Sequence, residues 1–156
     1  MTTPSFPALQ RALGAVVRRT SVPRVHQRVA TRAGVDIEQV EAIVLSRIVD
    51  AGEIRVSDLA QWLGVVCSTA SRHVAHLASR GLVERQPDAA DGRAVIVSPT
   101  AAGRALLARL RAAHSALLEE SLTGWTDSEV QQLTAALARF ADDLEDLVRP
   151  DADRVR

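Results

Sequence analysis

The chain has 156 residues, is 47% hydrophobic and carries a formal net charge of zero, a length that suits one ordinary domain with a buried core. It has no run approaching the ~18 apolar residues of a membrane-spanning helix. It also has no basic segment followed by an apolar stretch at its start, and its one cysteine cannot form an internal disulfide, so a cytoplasmic protein is expected.

Residues 1–6 read as a short frayed tail. Phe6 to Ala33 is helical in pattern, with Leu9, Leu13, Val16 and Val17 on one face. Ser21-Val22 before Pro23 predicts a kink or two helices, and Gly34 ends the region. Six arginines and no acid precede Asp36. Asp36 is expected to cap the next helix, with Val40, Ile43, Val44, Ile48 and Val49 as its apolar stripe and Gly52 as its stop. Glu53 to Val56 reads as a short strand.

Ser57 to Leu63 forms a predicted helix that buries Leu59, Trp62 and Leu63 and stops at Gly64. Gly64-Val65-Val66 then makes the turn of a helix-turn-helix. In the second helix, Ser68 to Leu77, the residues Ala70, Val74 and Leu77 recur at core spacing. The outward face carries Ser68, Thr69, Ser71, Arg72, His73 and His76. A solvated helix would more often carry Glu, Gln or Lys there. Short hydroxyls allow close approach to a partner, and arginine offers a donor fork suited to phosphate or guanine. Gly81 stops this helix. Leu82–Gln86 and Ala94–Val97 are predicted strands. The loop between them, Pro87 to Arg93, is too long for a tight hairpin and carries an arginine that can reach a minor groove.

Ser98-Pro99-Thr100 starts a long helix to about Leu118, with Leu106, Leu107, Leu110, Ala113, Leu117 and Leu118 at helical spacing. A loop at Leu122–Trp125 leads to Thr126-Asp127-Ser128-Glu129, a capping box. The last helix runs to about Val148 on a stripe of Val130, Leu133, Leu137, Phe140, Leu144 and Leu147. Pro150 ends it, and 151–156 is expected to be a flexible charged tail. From Glu119 onward there are ten acids against four arginines. The asymmetry reads either as a DNA-facing and a far side, or as pairing of a basic first helix with an acidic last one. All nineteen basic residues are arginine, which we attribute to genomic base composition.

Leu59-Ala60, Leu63-Gly64, Ser68-Thr69-Ala70-Ser71-Arg72, Leu77, Gly81-Leu82-Val83-Glu84-Arg85, Asp91-Gly92-Arg93 and Thr100-Ala101-Ala102-Gly103 occur in order and at matching spacing. Together they make residues 56–103 similar to the winged helix-turn-helix of the MarR family of bacterial transcription regulators, and the helix layout extends the likeness over most of 8–148. The resemblance implies a mainly α fold with a small β-wing, a winged helix-turn-helix flanked by N- and C-terminal dimerisation helices. It is a single MarR-like domain over 1–156, with dimerisation helices at 7–34 and 101–148 and the winged lobe at 36–99. It further implies a homodimer with intertwined termini, a pseudo-palindromic double-stranded DNA operator and release by a small aromatic or phenolic effector. Such a protein is a stress-responsive regulator, usually a repressor, and is nucleoid-associated when bound. The effector would sit between the first two helices and the start of the helix after the wing. Arg24, His26 and Arg28 are candidate carboxylate partners there or simple surface charge.

The expected DNA-binding residues are Ser68, Thr69, Ser71, Arg72, His73, His76, Arg85, Asp91 and Arg93. Ser68, Thr69 and Ser71 suit phosphates or base edges, and Arg72 suits phosphate or guanine. His76, one turn on, is placed for the backbone, and Arg85 at the wing's base for phosphate. The family's wing Asp and Arg, here Asp91 and Arg93, brace the loop while the arginine faces the minor groove. Val66 departs from the family, where a cap-forming residue is usual. Either the helix starts later, at Ser68, or a phosphate supplies the acceptor. Cys67 sits near the positive end of the helix, where thiolate is favoured, so a redox-sensing regulator is an alternative. A winged-helix interaction module without DNA binding is another, against which Arg72, Arg85 and Arg93 argue. The four histidines lack metal-ligand spacing, and no enzyme signature or cofactor motif is present.

Overall fold

The computed structural model describes residues 5–92 and 94–148, with the backbone alone over 145–148. The expected wing arginine, Arg93, and the tail 151–156 lie outside the described residues. The fold is mainly α with a small sheet, in the order α1 (Phe6–Thr20), α2 (Pro23–Ala33), α3 (Gln39–Ala51), β1 (Ile54–Arg55), α4 (Val56–Leu63), α5 (Cys67–Ser79), β2 (Val83–Pro87), β3 (Val95–Pro99), α6 (Ala101–Ser121) and α7 (Asp127–Val148). Two compact units result, Met1–Ala116 and Leu117–Arg156. No helix among the described residues is long and apolar enough to cross a membrane.

Pro23 separates two helices, standing in the first turn of α2 where its missing N–H costs nothing. The expected cap at Asp36 is a correction: α3 begins three residues later, with Glu38 at its N-cap and no side-chain cap bond. The buried stripe also differs from the expected one. Val44, Leu45 and Ile48 are fully buried, while Val40 and Ile43 are exposed. Trp62 is also exposed rather than buried, and the Arg47 guanidinium lies 5.5 Å from its ring centroid, a cation–π arrangement.

The core of the lobe joins Val44, Leu45 and Ile48 of α3 to Leu59 of α4, to Ala70, Val74 and Leu77 of α5 and to Val97 of β3, all fully buried. At Gly64 the chain takes φ 66°, a left-handed conformation that ends α4 and opens the turn into α5. The sheet has strand order β1-β3-β2, antiparallel throughout, with Arg55 opposite Ile96 and Arg85 opposite Val97. The short strand at Ile54–Arg55 completes the three-stranded wing sheet.

The Thr-x-x-Gly start of α6 locks the helix against the base of the wing. Thr100 Oγ1 donates to the Gly81 carbonyl at 2.7 Å and accepts from the Gly103 N–H at 3.1 Å. A Cβ on Gly103 would stand 2.1 Å from the Leu82 carbonyl oxygen, so only glycine permits this approach. At the start of α7 the capping box forms. The Thr126 backbone N–H donates to Glu129 Oε2 at 2.8 Å, and the Glu129 N–H donates back to Thr126 Oγ1 at 3.3 Å. The Thr126 N–H and hydroxyl hold the Glu129 carboxyl below its ordinary range.

Candidate nucleic-acid interface

Helix α5 is bound on one side by apolar contact and open on the other. Ser68 and Arg72 are exposed, and Thr69, Ser71 and His73 are half-buried beside them. The helix starts at Cys67, not Ser68, and Val66 is its N-cap with no side-chain hydrogen bond. Its first-turn N–H groups therefore lack a side-chain acceptor, and Val66, Cys67 and Ser68 around them are exposed, an arrangement suited to an anion. Cys67 is exposed.

His76 is placed differently from the rest of the expected set. Its Nδ1–H donates to Oε1 of Glu41, a carboxylate on α3 that is only 3% exposed. Arg80 Nη1 donates to the other oxygen of Glu41 at 3.2 Å, and Arg80 Nη2 donates to the Asp36 carbonyl. An acid in the apolar stripe of α3 was the sequence signal for this cluster, because a buried carboxylate requires partners.

The wing brings Arg85 to the surface of β2 and Asp91 to the exposed loop. The loop is braced by Asp88, which is buried at 6% exposure. Asp88 Oδ1 accepts from the Ala90 N–H at 2.8 Å, Oδ2 forms an ion pair with Arg55 Nη2 at 2.5 Å, and the Asp88 N–H donates to the Ala94 carbonyl at 2.9 Å. The Ala90 N–H, and secondarily Arg55, hold the Asp88 carboxyl below the ordinary value near 3.8, against the opposing effect of burial. Pro87-Asp88 is a recognisable turn start. Its partner Arg55 lies 33 positions earlier, too far for any local pattern to reveal.

A cavity of about 330 Å³ opens between α2, α3 and α6, with His26, Ile43, Ser46, Leu107, Arg111 and His114 in its wall. Of Arg24, His26 and Arg28, only His26 lines it. Its Nε2–H donates to the Ile37 carbonyl at 2.7 Å. Arg111 is held by Asp50 at 2.6 Å. Among the described residues no group of three or more His, Cys, Asp or Glu side chains could hold a metal ion.

A helix-turn-helix followed by a braced two-strand wing is the arrangement that the family model for the MarR family matches over residues 37–95. Over that stretch the chain is similar to the MarR family. Its members are transcriptional regulators, not enzymes. An uncharacterised HTH-type transcriptional regulator of Bacillus subtilis, YxaD, is 28% identical over 105 residues, spanning 67% of this chain and 73% of that protein. Wild-type apo MarR from E. coli is similar in structure, with 26% identity, a TM-score of 0.71, and coverage of 90% of this chain and 98% of that one. A cysteine-to-serine mutant of E. coli MarR complexed with operator DNA matches at 26% identity and TM-score 0.62, over 85% of this chain and 93% of that one.

Proposed function

We propose that this protein is a sequence-specific DNA-binding repressor of the MarR family that acts as a homodimer in the cytoplasm and leaves its operator when a small aromatic or phenolic effector binds. The observation that carries the reading is α5: a helix anchored by three fully buried residues that turns Ser68 and Arg72 and an uncapped N-terminus outward. Ser68, Thr69, Ser71, Arg72 and His73 then enter the major groove, the uncapped N–H groups take a phosphate, and Arg85, Asp91 and Arg93 serve the wing. The operator-bound E. coli relative supports this use of the fold.

The homodimer rests on apolar surface with no cover. Phe6, Leu9, Val16 and Val17 on α1 are each more than half exposed. A largely apolar groove of about 610 Å³ runs between the end of α6 and α7, past Leu118, Trp125 and Leu137. Residues 7–34 and 101–148 thus serve as dimerisation helices, 36–99 as the DNA-binding lobe, and 1–156 as one MarR-like domain. The cavity beside His26 and Arg111 is large enough for a small ligand. Its walls come from α2, α3 and α6, so an occupant bridges dimerisation and DNA-binding helices and shifts their balance.

Footprinting the full chain on DNA flanking its own gene tests the reading. A protected two-fold site is expected, with affinity falling linearly in log salt. Arg72→Ala should weaken that binding by roughly 1–3 kcal/mol. Equal affinity for the flanking DNA and for random competitor would overturn the reading.

A further inference from the structure

The apolar anchors of α5 set how deep the helix sits. They fix which face of the helix turns inward, but apolar contact is non-directional and sets the fine rotation less sharply than hydrogen bonds do. The polar contacts on its flank are directional. His76 and Arg80 lie four residues apart, one turn along the same side of the helix, and both donate to the two oxygens of Glu41. Arg80 also donates to the Asp36 carbonyl ahead of α3. Glu41 is 3% exposed, so its charge is compensated by these two partners or left uncompensated at high cost.

We propose, on the strength of the DNA-reading function above, that Glu41 is a positioning residue for operator recognition: through His76 and Arg80 it fixes the rotation of α5. His76 thereby acts on DNA through Glu41 and not as a reader of its own. Side-chain tips stand ~5–6 Å from a helix axis, so a roll of ~20° moves them by ~2 Å. That carries a hydrogen bond from ~2.9 Å to well beyond its useful range. Base-edge bonds from Ser68, Ser71 and Arg72 are lost by such a roll. Attraction between arginine and the phosphate backbone, which has no base register, survives it.

The test is the ratio of operator to competitor affinity. Full-length Glu41→Gln keeps the shape of the side chain but turns an NH2 toward a donor. We expect a roughly ten-fold or greater loss of operator affinity, with affinity for random-sequence DNA and its salt slope unchanged. His76→Ala, at an exposed ring, should give the same pattern even where Glu41→Gln fails to fold. The double variant should be no worse than the poorer single variant, because both break one clamp. Unchanged operator affinity overturns the proposal. So does a parallel fall in operator and competitor affinity together with the thermal midpoint, which marks a merely structural role. Additive losses in the double variant give His76 its own DNA contact and overturn it as well. If the wild type itself prefers no sequence, the DNA-reading function fails first and this proposal with it.

Discussion

The winged lobe and the terminal helices are built from similar residues and end in opposite states. In the lobe, Leu45, Ile48, Leu59 and Leu77 are fully buried. On α1 no residue is buried, and on α7 Leu133, Leu137 and Leu144 remain exposed. The stripes are equally regular in sequence. A stripe reports that a helix has an apolar face, not what covers it. The lobe completes its own core, whereas α1 and α7 carry the surface a second chain would cover.

The widest expected gap is between two identical truncations. Leu45→Ala should cost ~2–5 kcal/mol by cavity formation, at any protein concentration. In the proposed homodimer, Leu9→Ala on α1 should lower stability only through dimer dissociation, so that its denaturation midpoint moves with protein concentration. Urea titrations at two concentrations check this, and a concentration-independent cost at Leu9 would break the contrast. Gly103→Ala comes next, at about 1–3 kcal/mol, because the new methyl would have to displace the Leu82 carbonyl. A circular-dichroism melt with no change would mean that α6 slides freely on the base of the wing. Thr126→Ala removes the capping box of α7 and should cost about 1 kcal/mol, read as earlier loss of helicity on heating. The smallest effect is at Asp88. Its carboxyl is held below the ordinary range near 3.8, so its contribution is present above that pH and is lost as pH falls through the lowered value. Asp88→Asn should flatten that acid limb in a stability-versus-pH series, and an unaltered limb would remove the brace from the wing's account.

Much of this was visible in the residues. Gly64 and Gly81 mark turns, Pro23 splits a helix, Thr126 and Glu129 form their box, and Ala70, Val74 and Leu77 lie inward as their spacing requires. Each of these signals acts within a few positions of chain. The misplaced cap at Asp36 shows the limit of such signals. An acid before an apolar run suits a helix start, yet the Asp36 carbonyl instead receives Arg80 and the helix waits until Gln39. Trp62 departs from its expected burial for a similar reason: its helical position allows burial, but it stays exposed over the half-buried guanidinium of Arg47.

The sequence by itself determined the order of helices and strands, the turn of the helix-turn-helix and the polar face of α5, because backbone preference and hydrophobic period are local properties. Only the tertiary structure decided that Glu41 holds His76 and Arg80, that Arg55 holds Asp88, and that Gly103 lies against Leu82. Those partners stand 21 to 39 positions apart, and Gly103 meets Leu82 through a backbone carbonyl that carries no sequence signature. What brings them together is the packing of whole elements around one core, and that sets the rotation and reach of a helix whose outward face was legible from the start.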